Sequence, residues 1–262
     1  MKTLTLLPAV TKIARLALAA AALAAACGAA AQTLAIPLGK EGSSVIQADL
    51  LLPAGEGKAP ALLIVPGEGY HRNLAITAGL AESATASGWV TLRMDWRYYT
   101  ASPNNGTPSR DYNAEQAEME AAVAFLKRHP RVDATRISVA GKSFGSIVAG
   151  RVFVNDPALR ALVLLTPVCR GASDAPKNYQ GLIADKRPVI VVVGNADSTC
   201  PLPNLYYWAK DGGDRIATLA FPGDHGLLVG PGANPALAPR NQRNVDFAVN
   251  SAMQWLNELS GK

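Results

Sequence analysis

The stretch Gly141-Lys142-Ser143-Phe144-Gly145 places one serine between two glycines in the spacing G-x-S-x-G. It lies between an apolar run at residues 136–140, which predicts a buried strand, and residues 144–155, which have the apolar periodicity of a helix. A sharp strand-to-helix turn exposes the oxygen of such a serine, and glycines on either side let the backbone pass closely. The pattern therefore predicts a nucleophilic Ser143, with a plain helix N-cap as the alternative.

Two partial motifs for nucleotides fail at specific positions. The phosphate-binding loop G-x-x-x-x-G-K-[ST] ends at Ser143 but needs a glycine where this chain has Arg136. The glycine-rich turn at residues 67–69 begins like a dinucleotide fingerprint, yet its third glycine position is Arg72. The sequence therefore excludes both nucleotide sites.

A nucleophilic serine needs a base and a group that orients the base. His225 follows the last predicted strand, residues 216–221, where a loop can reach over the serine. Asp197 follows the predicted strand at residues 189–193. We predict His225 as the base and Asp197 as its orienting carboxylate, in the chain order Ser–Asp–His.

The other histidines and nearby acids leave alternatives. His71 lies in the glycine-rich turn, lining the substrate pocket or lying at the surface, and His129 is expected to cap a helix end. The rivals of Asp197 are Asp174, Asp185 and Asp224; the last is expected to cap a turn or to point away.

Two backbone N–H groups should form an oxyanion hole. One is predicted from Phe144 and the other from Glu68, in the turn after the strand at residues 61–65, with Gly69 or Tyr70 as alternative donors. The Glu68 carboxylate is expected to turn to solvent or to pair, for example with Arg72. The alternative is a tight turn without a binding role.

Strand-like and helix-like runs alternate from residue 61 to residue 259, which argues for a mostly parallel sheet covered on both faces. Two opening strands, at residues 33–38 and 45–52, should form an antiparallel edge because their connection is short. The later strands are predicted at residues 61–65, 89–94, 136–140, 162–165, 189–193 and 216–221, and the helices at 74–87, 113–128, 144–155 and 245–259.

The chain resembles the α/β-hydrolases from about residue 61 to residue 259, which covers most of the expected mature protein, and it is most similar to their small, nearly lidless members such as dienelactone hydrolases. The segments that carry the resemblance are Val65-Pro66-Gly67-Glu68-Gly69, Asp95-Trp96-Arg97-Tyr98, Gly141-Lys142-Ser143-Phe144-Gly145, Gly194-Asn195-Ala196-Asp197 and Asp224-His225-Gly226. The resemblance implies an α/β fold with about eight mostly parallel strands, helices on both faces, a minimal lid and the triad named above. Two positions depart: dienelactone hydrolases have a cysteine in place of Ser143, and many relatives have a histidine in place of Pro66. The dienelactone substrate is therefore not carried over.

These residues and the resemblance lead us to expect a serine hydrolase that cleaves carboxylic esters through an acyl-enzyme. The expected substrates are small-molecule or polymer-end esters, and the reaction needs no metal and no organic cofactor. The same triad supports peptidases, thioesterases, lactonases and acyltransferases. A non-catalytic binding protein on the same fold is the alternative from another class.

The N-terminus has the pattern of a secretory signal peptide. Lys2, Lys12 and Arg15 precede an apolar run at residues 16–26, and small residues end at Ala31. The run is short for a membrane span. We predict cleavage after Ala31, a single domain at residues 32–262, and export to the periplasm or exterior of a bacterium. An uncleaved anchor and a lipid anchor at Cys27 are the alternatives.

Composition and charge exclude two further classes of protein. A hydrophobic fraction of 49% argues against disorder. The formal net charge is +5, and three of these positive charges lie in residues 1–31. The rest of the chain has a net charge of +2 and no cluster of Lys and Arg, so the sequence does not indicate a nucleic-acid-binding surface. Cys169 and Cys200 each follow a predicted strand, so an oxidising compartment would favour a disulfide, with two free thiols as the alternative.

Overall fold

The computed structural model describes residues 31–39, 44–103, 105–231 and 234–261. Ala31–Lys262 form one compact unit. The predicted signal peptide, apart from its last residue, and the lipid-anchor alternative at Cys27 lie outside the described residues. Within the described ranges, no helix combines the length and apolar character needed to cross a membrane.

Eight strands form one sheet in the spatial order β1-β2-β4-β3-β5-β6-β7-β8. The strands are β1 (Gln32–Leu38), β2 (Ser44–Leu51), β3 (Ala59–Val65), β4 (Val90–Met94), β5 (Val132–Lys142), β6 (Leu162–Leu165), β7 (Val189–Gly194) and β8 (Ile216–Phe221). β2 pairs antiparallel with both β1 and β4, and the other neighbours are parallel. The mostly parallel sheet and its antiparallel edge are therefore confirmed.

Seven α-helices connect or flank the strands. They are α1 (Ala75–Ala86), α2 (Arg97–Ala101), α3 (Asn113–Arg128), α4 (Phe144–Asn155), α5 (Asp174–Asn178), α6 (Leu202–Ala209) and α7 (Ala238–Ser260), with short 3-10 turns at Lys210–Arg215 and Pro235–Leu237. The count refers to the part of the chain that the structure describes. No helix between β6 and β7 exceeds five residues, so the fold has at most a small lid there.

The central strand β3 explains why both faces are covered. All seven of its residues are buried. Leu62 and Ile64 point to one face, where α1 and α7 pack, and Leu63 and Val65 point to the other, where α3 and α4 pack. A strand buried on both sides shows this continuous apolar run, because successive side chains point to opposite faces of the sheet.

The closing helix is longer than predicted. It begins at Ala238, whereas residue 245 was predicted as its start. The prediction missed the first two turns because they bury only Asn241 and therefore lack the apolar period of an amphipathic helix. Helices α2, α5 and α6 were not predicted; the first two are five residues long and α6 begins at a proline-flanked turn. β5 also extends beyond residues 136–140 at both ends, and Lys142 is its last residue.

Candidate active site

Ser143 lies at the turn between β5 and α4 in a backbone conformation that non-glycine residues rarely adopt, with φ 53° and ψ −123°. Its flanking glycines are required sterically. A Cβ on Gly141 would lie 2.2 Å from the carbonyl oxygen of Gly145, and a Cβ on Gly145 would lie 2.3 Å from that of Pro66. The strained turn and the two close approaches have the geometry of a nucleophile elbow.

The three residues of the predicted triad meet at the carboxyl ends of β5, β7 and β8. Nε2 of His225 is 2.8 Å from Oγ of Ser143. Nδ1 of His225 is 2.8 Å from Oδ2 of Asp197. The Ser143 hydroxyl therefore has a base within hydrogen-bond reach, and a carboxylate holds the other ring nitrogen of that base.

The Asp197 side chain is fully buried and held by the backbone. Its Oδ1 accepts hydrogen bonds from the N–H groups of Thr199, at 2.8 Å, and Cys200, at 3.1 Å. Cys200 forms a disulfide with Cys169, whose N–H donates to the Thr199 carbonyl. The disulfide therefore closes the loop that fixes Asp197, and the free-thiol alternative is wrong for this structure.

The loop that carries His225 rests on the end of β7. A Cβ on Gly194 would lie 2.2 Å from the carbonyl oxygen of Asp224 and 2.4 Å from that of Gly223. Oδ1 of Asp224 accepts hydrogen bonds from the N–H groups of Gly226 and Leu228. The prediction that Asp224 caps a turn is therefore confirmed, and this turn holds the histidine in place.

The turn after β3 lies directly beside the serine. A Cβ on Gly67 would be 3.1 Å from Cβ of Ser143. Trp96 anchors this turn, because its Nε1 donates a 2.9 Å hydrogen bond to the carbonyl of Pro66. Phe144 is the first residue of α4, so its N–H has no carbonyl partner within the helix. Phe144 thus follows Ser143 directly, and Gly67, the residue before the other predicted donor, Glu68, lies beside Ser143 in a second turn.

Arg72 anchors the same turn and does not pair with Glu68. Nε of Arg72 is 2.8 Å from Oδ2 of Asp49, and its Nη1 pairs with Asp95. The Glu68 side chain is exposed, which agrees with the solvent-facing expectation. Asp95 is buried and structural, since it binds both the guanidinium and the backbone N–H of Arg72.

The remaining candidates lie away from the triad. His71 is exposed, and its Nδ1 accepts a hydrogen bond from the N–H of Asn73. His129 is the C-cap residue of α3, as predicted. Asp174 accepts from the N–H of Gly171, and Asp185 pairs with an arginine, so neither contacts His225.

A cavity of about 380 Å³ opens beside His225. Its walls are mainly apolar, with a few polar side chains. The lining residues are Tyr70, Leu74, Ala75, Ile76, Lys142, His225, Gly226, Leu228, Ala238, Asn241, Gln242 and Val245. Because a ligand pocket typically combines apolar walls with a few polar groups, this cavity is the candidate substrate site.

Lys142 lines this cavity, although its sequence pattern did not predict a place there. It is 2% exposed, and burial lowers the pKa of its ammonium to about 8. The signal in the sequence is the position of Lys142 next to Ser143, where a Gly-Lys-Ser run also matches the end of a phosphate-binding loop. No group of three or more His, Cys, Asp or Glu residues in the described ranges is arranged to hold a metal ion.

Comparison with known proteins gives two partial sequence matches. The chain is 28% identical over 126 residues to the quorum-quenching protein AidA of Acinetobacter baumannii, covering 48% of this chain and 41% of that protein. It is 31% identical over 120 residues to a thiohydrolase of Eupenicillium brefeldianum, covering 45% and 38%. The chain thus spans less than half the length of these relatives, and no family model matches it.

Solved structures match over nearly the whole fold. Dienelactone hydrolase from Anabaena variabilis has a TM-score of 0.67 at 16% identity, covering 88% of this chain and 98% of that one. A serine hydrolase without a lid from Xanthomonas campestris has a TM-score of 0.61 at 17% identity, covering 87% and 95%. An α/β serine hydrolase homologue from Coxiella burnetii has a TM-score of 0.64 at 16% identity, covering 84% and 96%. The chain therefore has the α/β-hydrolase fold that its sequence resemblance implied.

Proposed function

We propose that this protein is a serine hydrolase that cleaves carboxylic esters through a covalent acyl-enzyme. The observation that carries the proposal is the continuous hydrogen-bonded chain from Ser143 through His225 to Asp197, with both contacts to the imidazole at 2.8 Å. This arrangement sits at the carboxyl ends of the strands, where ligands bind in open α/β sheets. The cavity beside His225 provides room for a substrate.

The proposed reaction has two steps. Oγ of Ser143 attacks the ester carbonyl carbon while Nε2 of His225 takes the hydroxyl proton, and the same proton then goes to the departing alcohol. The resulting acyl group is bonded to Ser143. His225 next takes a proton from water, the hydroxide attacks the acyl carbon, and the proton returns to Ser143 as the acid leaves.

Negative charge on the carbonyl oxygen is stabilised in both steps by the backbone. We assign the N–H groups of Phe144 and Glu68 to this role. The N-terminus of α4, a helix of twelve residues, adds its positive dipole end at the same place. The exposed Glu68 carboxylate points to solvent, which keeps its charge away from the oxyanion.

A chromogenic ester series from acetate to long-chain acyl groups tests the proposal. The matched variants are Ser143→Ala and Ser173→Ala, since Ser173 is exposed and far from the triad in sequence. We expect activity to be lost in Ser143→Ala and kept in Ser173→Ala. Equal activity in both variants would contradict the proposal.

The partial match to a thiohydrolase adds one class of substrate to the assay. One partial match is called a thiohydrolase, so acyl thioesters belong in the same assay. Amide substrates test the peptidase alternative, and an added alcohol acceptor tests acyl transfer. We expect oxygen esters to give the highest kcat/KM. A higher value for thioesters or amides would change the proposed substrate class but not the proposed catalytic residues.

We also propose that the mature protein works outside the cytoplasm. A disulfide such as Cys169–Cys200 is favoured in oxidising compartments, and the basic and apolar N-terminal pattern is typical of exported proteins. N-terminal sequencing of protein from the periplasm or medium tests the cleavage after Ala31. Retention of the whole chain in the cytoplasm would contradict export.

A further inference from the structure

Lys142 is a buried cation at the edge of the active site, where its ammonium lies over the ring of Tyr70. Within the part of the chain that the structure describes, its Nζ makes no hydrogen bond and no ion pair. Its aliphatic stem passes close to the turn after β3, since a Cβ on Gly67 would lie 3.4 Å from its Cδ. Nζ lies 4.8 Å from the centroid of the Tyr70 ring, and both residues line the cavity beside His225.

Contact with the Tyr70 ring offsets only part of the cost of burying this ammonium, because a ring face does not replace the hydrogen bonds that the ammonium would donate to water. The charged or titratable groups that face it are Asp197, Asp224, His225 and Tyr70. The two carboxylates favour the charged form, yet neither makes an ion pair with Nζ. One is bound to His225 and the other caps the turn that carries it. The ammonium therefore keeps its hydrogen-bond donors available to a ligand in the cavity.

The rest of the cavity indicates the shape of that ligand. Leu74, Ile76 and Leu228 provide apolar wall, and Asn241 and Gln242 add neutral polar groups. No carboxylate is among the lining residues. A short apolar chain that ends in an anionic group would contact the apolar wall and present its charge to Lys142.

We propose that Lys142 determines specificity by binding a free carboxylate on the substrate, so that the preferred esters carry a carboxylate a few carbons from the bond that is cleaved. A carboxylate would supply charge-assisted hydrogen bonds to the ammonium and offset the remaining cost of its burial. This inference rests on the proposed function, because it assumes that Ser143 attacks a substrate held in this cavity.

Monomethyl adipate and methyl hexanoate test the inference, since they differ by a carboxylate in place of a methyl group. The quantity measured is the ratio of their kcat/KM values, in the wild type, in Lys142→Met and in the control Lys186→Met, whose lysine is exposed. We expect the wild type to prefer the charged ester, and the ratio to fall about tenfold or more in Lys142→Met only. A wild-type preference for methyl hexanoate, or an unchanged ratio in Lys142→Met, would overturn the inference.

A measurement on the unaltered protein covers the case in which Lys142→Met does not fold. Because the pKa of Lys142 is about 8, the preference for monomethyl adipate should decline as pH rises through about 8 while the substrate carboxylate stays charged. The shared pH dependence of catalysis cancels in the ratio of the two esters. A ratio that is constant across this range would also overturn the inference.

A binding experiment distinguishes failure of the proposed hydrolase function from failure of the carboxylate site. If neither ester is cleaved, calorimetric binding of monomethyl adipate to Ser143→Ala decides the matter without catalysis. Binding that is weakened by adding Lys142→Met supports the carboxylate site even if the hydrolase proposal fails. Absence of binding rejects the site, whatever the outcome of fluorophosphonate labelling at Ser143.

Discussion

The backbone N–H of Cys200 donates a 3.1 Å hydrogen bond to Oδ1 of Asp197, so a half-cystine directly supports the carboxylate that holds His225. The N–H of the disulfide partner, Cys169, donates to the carbonyl of Thr199, and the N–H of Thr199 donates to Oδ1 of Asp197. The covalent link and the orienting carboxylate are therefore parts of one loop. Stability and activity should depend on this link together.

Removing the disulfide should lower both the stability and the activity of the protein. For cysteines with a sequence separation of 31, the chain-entropy model gives a stabilisation of about 3–4 kcal/mol. We expect the Cys169→Ala/Cys200→Ala variant to lose about that much unfolding free energy and to have a lower kcat, because the Asp197 loop is freer. Chemical denaturation and ester hydrolysis measure the two effects. Unchanged stability and rate in the double variant would show that the link supports neither.

Replacing Asp197 tests the orienting role separately from the fold. Asp197→Asn keeps the size of the side chain but removes the charge that faces Nδ1 of His225, so we expect kcat to fall by about three to four orders of magnitude. Asp224→Asn is the control, since an asparagine oxygen can still accept from Gly226 and Leu228. A loss of similar size in the two variants would argue for a general effect of charge near the histidine instead.

Gly194 is predicted to be essential because of the close approach of the histidine loop. In Gly194→Ala the new Cβ would meet the carbonyl oxygens of Gly223 and Asp224 at 2.4 and 2.2 Å, so the loop must move and take His225 with it. We expect a loss of about a hundredfold or more in kcat, since small misplacements of catalytic groups have effects of this size. Gly57→Ala is the matched control, because nothing lies within 4 Å of its added Cβ. Wild-type activity in Gly194→Ala would refute the steric argument.

Glu118 makes the stability dependent on pH. Burial raises the pKa of this carboxyl from 4.5 to about 7, although the N–H of Arg97 donates to its Oε2 and acts in the opposite direction. Since the folded pKa is the higher one, the protonated acid contributes stability below about pH 4.5, and this contribution is lost as pH rises through about 7. The unfolding free energy of Glu118→Gln, relative to that of the wild type, should therefore rise by about 1–3 kcal/mol from the acidic end of this range to the alkaline end. Chemical denaturation of both proteins at the two pH values measures this change. The same difference in unfolding free energy at both ends would contradict the prediction.

The three residues of the proposed triad could be placed from the sequence because each one follows a buried strand. Ser143 lies between glycines, Asp197 follows Gly194, and His225 follows Gly223, so each position could be placed at the carboxyl edge of the sheet. Their mutual distances could not be predicted, because they depend on strand order and on how closely the turns approach one another. The close contacts at Gly145 and Gly194 appear only in three dimensions.

Lys142 shows where prediction from the sequence stops. A lysine beside a serine in a turn would ordinarily be solvated, but β5 continues through Lys142 and the turn after β3 lies over its stem. The burial is therefore a tertiary effect with no local pattern. The start of α7 was missed for a related reason, since its polar first turns are held by packing and by contacts such as that of Asn241 with the N–H of Val229.

The central claim is that Ser143 is a nucleophile activated by His225. Its most direct test is labelling with a fluorophosphonate, followed by peptide mass mapping, in the wild type, Ser143→Ala and His225→Ala. The account predicts one adduct on Ser143 in the wild type, none at that position in Ser143→Ala, and much slower labelling in His225→Ala. An unlabelled wild type, an adduct at another residue that persists in Ser143→Ala, or labelling of His225→Ala at the wild-type rate would contradict it.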